Sequence, residues 1–177
     1  MKKKGKRALQ GIFLEILIFS DSHGATFAMR QVIESHTNAT HILFCGDGLR
    51  DIAILEEVFP TRVFLSVRGN CDGLLSAFDV PTERLLTLGN LRILCMHGHT
   101  HGVKGGYGVA ASYAAGVGAE LLLFGHTHVP YEGRLDVKGE IVHLFNPGSI
   151  GRSVDGKSSY GVLTIRENGY LLSHGCL

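Results

Sequence analysis

The sequence predicts an α/β fold in which two mixed β-sheets pack face to face, with helices on the outer faces in a four-layer α/β/β/α arrangement. Between residues 14 and 70, three apolar runs alternate with two helical patterns, which is typical of a parallel sheet with crossover helices. Between residues 131 and 174, four short, turn-separated runs partly alternate between apolar and polar residues, as antiparallel strands do. A chain of 177 residues can bury a sizeable core as one domain.

The first half of the chain alternates strands with helices. The predicted elements are a strand at 14–20, a helix at 24–36, a strand at 42–45, a helix at 51–59 and a strand at 63–67. The first strand is continuously apolar and should be covered on both faces, and Pro60 ends the second helix. Because parallel sheets bind ligands beyond the carboxyl ends of their strands, the residues that follow these strands are the candidates for a functional site.

The second half begins with a predicted hairpin, in which strands at 84–88 and 91–96 flank Gly89-Asn90. Residues 103–118 are rich in small side chains and predict a tightly packed helix, and 121–124 predicts a further buried strand. The remaining predicted strands are 131–137, 141–145, 160–165 and 170–174. These four are expected to form an antiparallel second half.

Charge is distributed unevenly along the chain. Five of the 17 basic residues lie within the first seven positions, and the remaining 12 face 16 acidic residues, so the rest of the chain carries a net charge of −4. We expect residues 1–10 to form a flexible basic tail that contributes little to folding, and residues 11–177 to form a single domain. An acidic body offers no large basic surface, so no stable nucleic-acid partner is expected.

The basic tail precedes an apolar run at 12–19, a combination that signal peptides share. Glu15 interrupts this run, it lacks a small-residue cleavage site, and Asp21 and His23 follow at once, so we interpret it as a core strand. No apolar stretch approaches a membrane-spanning length, and no membrane association is expected.

The four cysteines are scattered without the spacing of a metal or redox motif. Cys45 and Cys95 end apolar runs and are predicted to be buried as small hydrophobic residues. A reducing, cytoplasmic location is therefore expected.

The stretch Cys45-Gly46-Asp47-Gly48 is the centre of the candidate site. Two glycines follow a predicted buried strand and leave Asp47 at its carboxyl tip. A carboxylate held there could bridge two cations, although Gly-Asp-Gly alone is typical of a turn.

Other side chains of ligand type also follow predicted strands. Asp21 and His23 are two residues apart, as are His126 and His128, and a glycine adjoins each pair. Residues two apart project to one side where strand geometry persists, so each pair can converge on one point. The candidate metal ligands are Asp21, His23, Asp47, Asn70, His97, His126 and His128. Imidazole and carboxylate ligands suit manganese, iron, cobalt, nickel or zinc, and no thiolate cluster indicates a structural zinc.

The order of these motifs resembles that of the calcineurin-like metallophosphoesterase superfamily. The blocks are D-S-H-G at 21–24, G-D-G at 46–48, G-N-C-D at 69–72, H-G-H at 97–99 and G-H-T-H at 125–128. The sequence is most similar to the small bacterial and archaeal phosphodiesterases, over residues 13 to about 166, including N-P-G-S at 146–149. One block alone is weak evidence, whereas five in this order are specific.

The resemblance implies a two-metal phosphoesterase that hydrolyses a small phosphodiester by attack of a metal-bridging hydroxide. The ligands it implies for one ion are Asp21, His23 and His128, those for the other are Asn70, His97 and His126, and the bridging ligand is Asp47. Two divalent ions are expected, manganese first, with nickel, cobalt, iron or zinc as alternatives. Two carboxylates neutralise half of the four positive charges, and the remainder suits a phosphate.

The catalytic residues that the resemblance implies are Asp47, Asn70 and His97, with His99 as a further candidate. Many relatives carry His after the Asn, where it is thought to protonate the leaving group, but Cys71 stands here, as in the small phosphodiesterases. The proton donor is therefore open between metal-bound water and His99, and esters with good leaving groups, such as aryl phosphates, should be favoured.

Further residues near the motifs have two interpretations each. Asp72 is a turn residue or a partner that orients the ligands. His99 and His101 either contact substrate or are exposed loop residues. Residues 146–149 are interpreted mainly as a turn near the site, and Arg152 could contact phosphate.

Two alternative functions share this fold. A non-enzymatic scaffold is one, because a retromer subunit has the same fold and uses its surface for partners. Such a scaffold need not keep a complete ligand set, whereas all seven positions are filled here. A nuclease of the same superfamily is the other, but those enzymes carry extra domains that hold nucleic acid. A small-molecule phosphodiester is the expected partner, and a homo-oligomer is left open.

Overall fold

A computed structural model of the protein describes residues 14–73, 79–154 and 156–177. The basic tail expected at 1–10 lies outside the described residues, so the proposed boundary between tail and domain stays a prediction. In chain order the strands are β1 (Leu14–Phe19), β2 (Ala39–Phe44), β3 (Val63–Ser66), β4 (Glu83–Leu88), β5 (Leu91–Met96), β6 (Leu121–Leu123), β7 (Pro130–Val137), β8 (Glu140–Pro147), β9 (Ser159–Arg166) and β10 (Gly169–Cys176). The α-helices are α1 (Thr26–Ser35), α2 (Leu49–Val58) and α3 (Gly108–Gly116).

The strands form two mixed sheets, as predicted, and each sheet has five strands among the described residues. The first has the order β10-β9-β1-β2-β3, with β1, β2 and β3 parallel and the other two pairings antiparallel. The second has the order β4-β5-β6-β8-β7, with β5, β6 and β8 parallel and antiparallel strands at both edges. The carboxyl ends of three parallel strands therefore meet at one edge of each sheet.

Successive side chains along a strand point to opposite faces of its sheet, so each sheet packs against the other sheet on one face and against helices on the other. In β1, Ile16 and Ile18 pack against the second sheet in a core that includes Phe145 of β8. Their neighbours Leu17 and Phe19 point to the opposite face, where they pack with buried residues of α1 and α2. On the far side, small residues of α3 cover the outer face of the second sheet. The α/β/β/α sandwich predicted from the sequence is confirmed.

The prediction of an antiparallel second half is only partly right. The pairs β7–β8 and β9–β10 are antiparallel, but they lie in different sheets, and β8 is also parallel to β6. The apolar pattern predicted where the strands lie but not which strands pair, because a buried strand shows the same apolar run whether its neighbour is parallel or antiparallel.

Every predicted helix is present, and two of them start later than predicted. Helix α1 begins at Thr26, because Gly24 has a φ of +96° and its N–H binds the Asp51 carboxylate instead of joining the helix. Helix α3 begins at Gly108, because glycines with left-handed φ at 102 and 106 interrupt the preceding segment. A short 3₁₀ helix at His99–His101 was not predicted. None of the helices in the described part of the chain is long and apolar enough to cross a membrane.

Candidate metal centre

The candidate ligands all follow carboxyl ends of parallel strands. Asp21 and His23 come after β1, Asp47 after β2, and Asn70 after β3 in the first sheet. In the second sheet, His97 follows β5, and His126 and His128 follow β6. Since the two sheets face each other, these loops meet at one end of the sandwich, where α/β proteins bind their ligands.

The backbone at this end is strained. Six non-glycine residues in the described ranges have a left-handed φ, and one of them, Lys138, lies in the tight β7–β8 turn. The other five are candidate ligands: Asp21 at 54°, His23 at 44°, Asp47 at 64°, His126 at 69° and His128 at 60°. Each such conformation costs about 1–3 kcal/mol and is retained where the surrounding structure imposes it, which occurs mostly at functional sites.

Asp47 lies at the centre of the cluster. Its Oδ1 accepts a hydrogen bond from the Cys71 backbone N–H at 2.7 Å. Its Oδ2 lies 3.4 Å from Nε2 of His97 and 4.0 Å from Nε2 of His23. The side chain is nearly buried, with 2% exposure, so one carboxylate contacts groups from both sheets.

The ring of His97 is oriented by the backbone. Its Nδ1 lies 2.7 Å from the Cys45 carbonyl, which can only accept, so Nδ1 carries a proton. Nε2 then faces Asn70 Oδ1 at 3.1 Å as well as Asp47 Oδ2. In neutral His97 this arrangement would direct a lone pair at two other acceptors, and either a second proton or a cation would relieve it.

A second convergence of acceptors surrounds Asp21, which is fully buried. His128 Nδ1 donates to the Arg152 carbonyl at 2.6 Å, which leaves Nε2 without a proton in the neutral ring, 3.1 Å from Asp21 Oδ1. Among the described residues, Asp21 Oδ1 and His23 Nε2 are buried polar atoms without a hydrogen-bond partner. Unpaired buried acceptors that face one another fit a bound cation.

Burial and charge set the protonation of this cluster. Burial opposes the charged form of Asp47, but the hydrogen bond and charge of His97 outweigh it and lower the pKa of the carboxyl. Burial raises the pKa of Asp21, against the charge of His97. Burial also opposes the cation of His97, but Asp47 and Asp21 outweigh it and raise the pKa of that imidazole. These directions favour a proton on His97 beside the charged Asp47 carboxylate, and a bound cation would compete with that proton.

Other imidazoles in the cluster favour the neutral form that a metal ligand needs. Burial, followed by the charges of His97 and Lys104, lowers the pKa of His126 to about 4. Burial likewise lowers the pKa of His23. These rings can bind a cation without first losing a proton at neutral pH.

The structure brings the ligand types together in overlapping groups. Asp21, His23 and His128 offer ligand atoms within 4.8 Å of one another, as do Asp21, Asp47 and His97. The first group is the set that the resemblance implies for one ion. For the other implied set, Asn70 adjoins His97 directly, and the ring of His126 lies 4.9 Å from that of His97 between centroids.

Cys71 forms part of a further group that the sequence did not predict. Its thiol lies within 4.8 Å of ligand atoms on His23 and Asp47. Asn70 Nδ2 donates to the sulfur at 3.3 Å. Burial, followed by the hydrogen bond to Asp47, raises the pKa of the Cys71 thiol to about 11. Cys71 is thus adjacent to the cluster, in its protonated form, when no cation is bound.

Two carboxylates hold the loops without belonging to the ligand groups. Asp72 accepts four backbone hydrogen bonds at 2.8–2.9 Å, from the N–H groups of Asp47, Gly48, Leu49 and Gly69. This supports the interpretation of Asp72 as a partner that orients the ligands. Asp51 accepts from Ser22 Oγ, Gly24 N–H and Thr26 Oγ1 at 2.6–2.9 Å. From the sequence, Asp51 was interpreted only as the start of a helix. The one sequence feature that could have indicated its role is an acidic residue in the first turn of that helix.

Residues 146–149 do more than form a turn. Asn146 is fully buried and donates to the Gly125 carbonyl and to Thr127 Oγ1, which fixes the G-H-T-H loop. Ser149, also fully buried, donates to the Asp21 carbonyl. This segment therefore ties the loops that follow β1 and β6 to each other.

The remaining candidates divide between the site and its surroundings. The ring of His99 lies 5.3 Å from that of His97, which places it beside the cluster. His101 instead packs against Tyr113, with 4.8 Å between the ring centroids and an interplanar angle of 42°. Arg152 is exposed, and its charge contributes to the lowered pKa of His23, so it lies near the cluster as the sequence analysis anticipated.

A cleft of about 480 Å³ opens beside the cluster. Its lining residues are His23, Gly24, Asp47, Gly48, Arg50, Asp51, Cys71, Asp72 and Gly73. The cleft is large enough for a small-molecule ligand next to the candidate metal centre.

Comparison with known proteins identifies the family of the chain. Residues 14–168 match the calcineurin-like phosphoesterase superfamily domain. The chain belongs to the calcineurin-like phosphoesterase superfamily. The resemblance drawn from the five motif blocks is therefore confirmed, and the family implies a hydrolase that uses divalent metal.

Two relatives and one solved structure show how far the likeness extends. The chain is 34% identical to the probable metallophosphoesterase YsnB of Bacillus subtilis, over 88% of this chain and 86% of the relative. It is 30% identical to phosphodiesterase YfcE of Escherichia coli K12, over 85% of this chain and 87% of the relative. A conserved uncharacterized protein of Streptococcus pneumoniae, a predicted phosphoesterase, shares the fold with a TM-score of 0.74 at 24% identity, over 93% of this chain and 90% of that one.

Proposed function

We propose that the protein is a two-metal phosphodiesterase that hydrolyses a small phosphodiester. The observation that supports this most is the position of Asp47, whose carboxylate lies between the imidazoles of His23 and His97. A group so placed can contact two cations at once, and a two-metal site can stabilise both the attacking and the leaving oxygen of an in-line displacement at phosphorus. YfcE, the similar protein named a phosphodiesterase, supports a diester over a monoester.

The chain's own residues have separate parts in this proposal. Asp21, His23 and His128 would hold one ion, Asn70, His97 and His126 would hold the other, and Asp47 would be shared by both. When bound, the two ions would polarise the phosphoryl oxygens and supply a hydroxide for attack on phosphorus. Asp72 and Asp51 keep the ligand loops in place through their hydrogen bonds. Manganese is the proposed native ion, with nickel, cobalt, iron and zinc as the alternatives.

We also propose a cellular location, a partner and a further catalytic residue for this reaction. All four cysteines are free, which agrees with a reducing, cytoplasmic location. The proposed partner is the small-molecule substrate alone, without a stable nucleic-acid complex. His99 stays a candidate catalytic residue because its ring adjoins those of His97 and His126.

A panel of phosphoesters tests the function. The protein is stripped with a chelator, reloaded with manganese, nickel, cobalt, iron or zinc, and assayed on 4-nitrophenyl monoesters, 4-nitrophenyl diesters, and single- and double-stranded DNA. We expect metal-dependent turnover, fastest on the aryl diesters, because no strong acid is needed to expel nitrophenolate. A folded protein that hydrolyses nothing with any metal would indicate the scaffold alternative, and preference for DNA would indicate the nuclease.

Cys71 allows a separate prediction about the proton donor. We expect Cys71→Ser to keep most of its turnover of aryl diesters, because the backbone N–H that binds Asp47 Oδ1 is unchanged and a serine hydroxyl can replace the hydrogen bond between the thiol and Asp47. The measurement is kcat/KM for a series of diesters with leaving groups of increasing pKa. A loss that grows with leaving-group pKa only in the variant would show that the thiol donates the proton.

A further inference from the structure

Arg50 has no part in the chemistry described so far. It is the second residue of α2, lies at the surface and lines the same cleft as His23 and Asp47. Within the described ranges of the chain, the guanidinium of Arg50 has neither an ion-pair nor a hydrogen-bond partner. An arginine in this state presents five donors to whatever enters the cleft.

The carboxylates of the cleft are occupied elsewhere. Asp72 accepts four backbone N–H groups, and Asp51 accepts two hydroxyls and one N–H. Asp47 is directed at Cys71 N–H and the imidazole of His97. These acids are thus held by other donors, and none of them forms an ion pair with Arg50 in the described part of the chain, so the N–H groups of its guanidinium are available to a ligand.

The size of the cleft leaves room beyond the scissile group. A volume of about 480 Å³ exceeds what one phosphodiester group occupies, so one arm of the substrate can lie along the wall that Arg50 contributes. Arginine binds phosphate through two parallel N–H···O bonds, which makes a phosphate the best-matched partner for it there.

We propose that Arg50 binds a second phosphate group carried by one arm of the substrate, so that the preferred substrates are phosphodiesters with an additional terminal phosphate. This assignment rests on the proposed phosphodiesterase function and specifies its substrate class. Arg50 acts in selection and positioning: it holds the arm, while the metal-ligand cluster reacts with the diester.

The test uses three 4-nitrophenyl phosphodiesters with the same leaving group and the same arm length. The arm ends in a phosphate, a hydroxyl or a trimethylammonium group, so that the reacting centre is constant and only the distal charge changes. With manganese-loaded wild-type protein, we expect kcat/KM to be about tenfold higher for the phosphate arm than for the hydroxyl arm. The trimethylammonium arm should be the poorest, and the preference should shrink as salt is added.

Variants then assign the preference to Arg50. Arg50→Gln should bring the ratio between the phosphate and hydroxyl arms close to one, and Arg50→Glu should favour the trimethylammonium arm. Arg134→Gln is the matched control, because Arg134 is an exposed arginine on β7 outside the cleft, and its ratio should equal that of the wild type.

The outcomes separate this inference from the function on which it rests. Turnover of the hydroxyl-arm diester with no preference for phosphate would overturn the role of Arg50 and leave the phosphodiesterase intact. A preference that persists in Arg50→Gln would do the same. Absence of turnover for all three diesters with every metal would overturn the phosphodiesterase function, and the role of Arg50 with it.

Discussion

The replacement Asp47→Asn is expected to abolish metal binding and phosphodiesterase activity together. The substitution keeps the shape of the side chain but removes a negative charge and turns a donor group toward His97 or His23, whose Nε2 atoms lie 3.4 and 4.0 Å from Oδ2. Since both proposed ions share this carboxylate, each loses a ligand at once. We expect kcat/KM for an aryl diester to fall by about a thousandfold or more, which is about 4 kcal/mol of transition-state stabilisation.

Elemental analysis of the same samples tests whether the loss of activity follows from a loss of bound metal. Wild-type protein should retain two ions per chain after removal of excess metal, and the variant fewer than one. Asp136→Asn makes the same chemical change at an exposed residue that accepts the Gly139 N–H in the β7–β8 turn, and it should keep the wild-type metal content. Two ions retained in a folded Asp47→Asn protein would show that Asp47 does not bridge.

Much of the fold was predictable because a continuous run of apolar residues indicates a strand that is buried on both faces. The run at Ile16–Phe19 is fully buried, since its alternate side chains enter two different layers. The convergence of the candidate ligands was predictable for a related reason, because residues that follow parallel strands lie together at one edge of the sheet. Pairing was not predictable, because β8 shows the same apolar run whether its neighbour β6 is parallel or antiparallel to it.

The supporting geometry of the site could not be read from local sequence. Gly69 looks like an ordinary turn residue, but a Cβ at that position would lie 2.0 Å from Asp47 Oδ1, so the glycine is required by a contact across 22 positions of the chain. Asp51 likewise accepts from residues 25 to 29 positions away. The left-handed backbone at Asp21 or His126 could not be located from residue type alone: Asp and His adopt it more often than most residues, but tertiary contacts decide where it occurs.

The second large effect on metal binding is expected from a substitution of Asp72. Among the described residues, Asp72 belongs to none of the groups that could hold a metal ion. Asp72→Asn replaces one acceptor oxygen with an N–H₂ group that faces two backbone donors. Each pair of donors is bound by one oxygen: Oδ1 binds Gly48 and Leu49, and Oδ2 binds Asp47 and Gly69. We expect manganese affinity to fall by about ten- to a hundredfold, because the loops that present Asp47 and Asn70 lose their common anchor.

Two measurements on Asp72→Asn separate the orienting role from general stability. Calorimetric titration of manganese gives the affinity, and denaturant unfolding of the metal-free protein gives the free energy of unfolding, which should fall by about 1–3 kcal/mol. Asp136→Asn again serves as the control for the chemical change. A fall in stability with unchanged manganese affinity would make Asp72 a purely structural residue. A loss of affinity that persists under conditions where the variant is fully folded would show that the backbone hydrogen bonds to Asp72 hold the Asp47 loop in the position that metal binding needs.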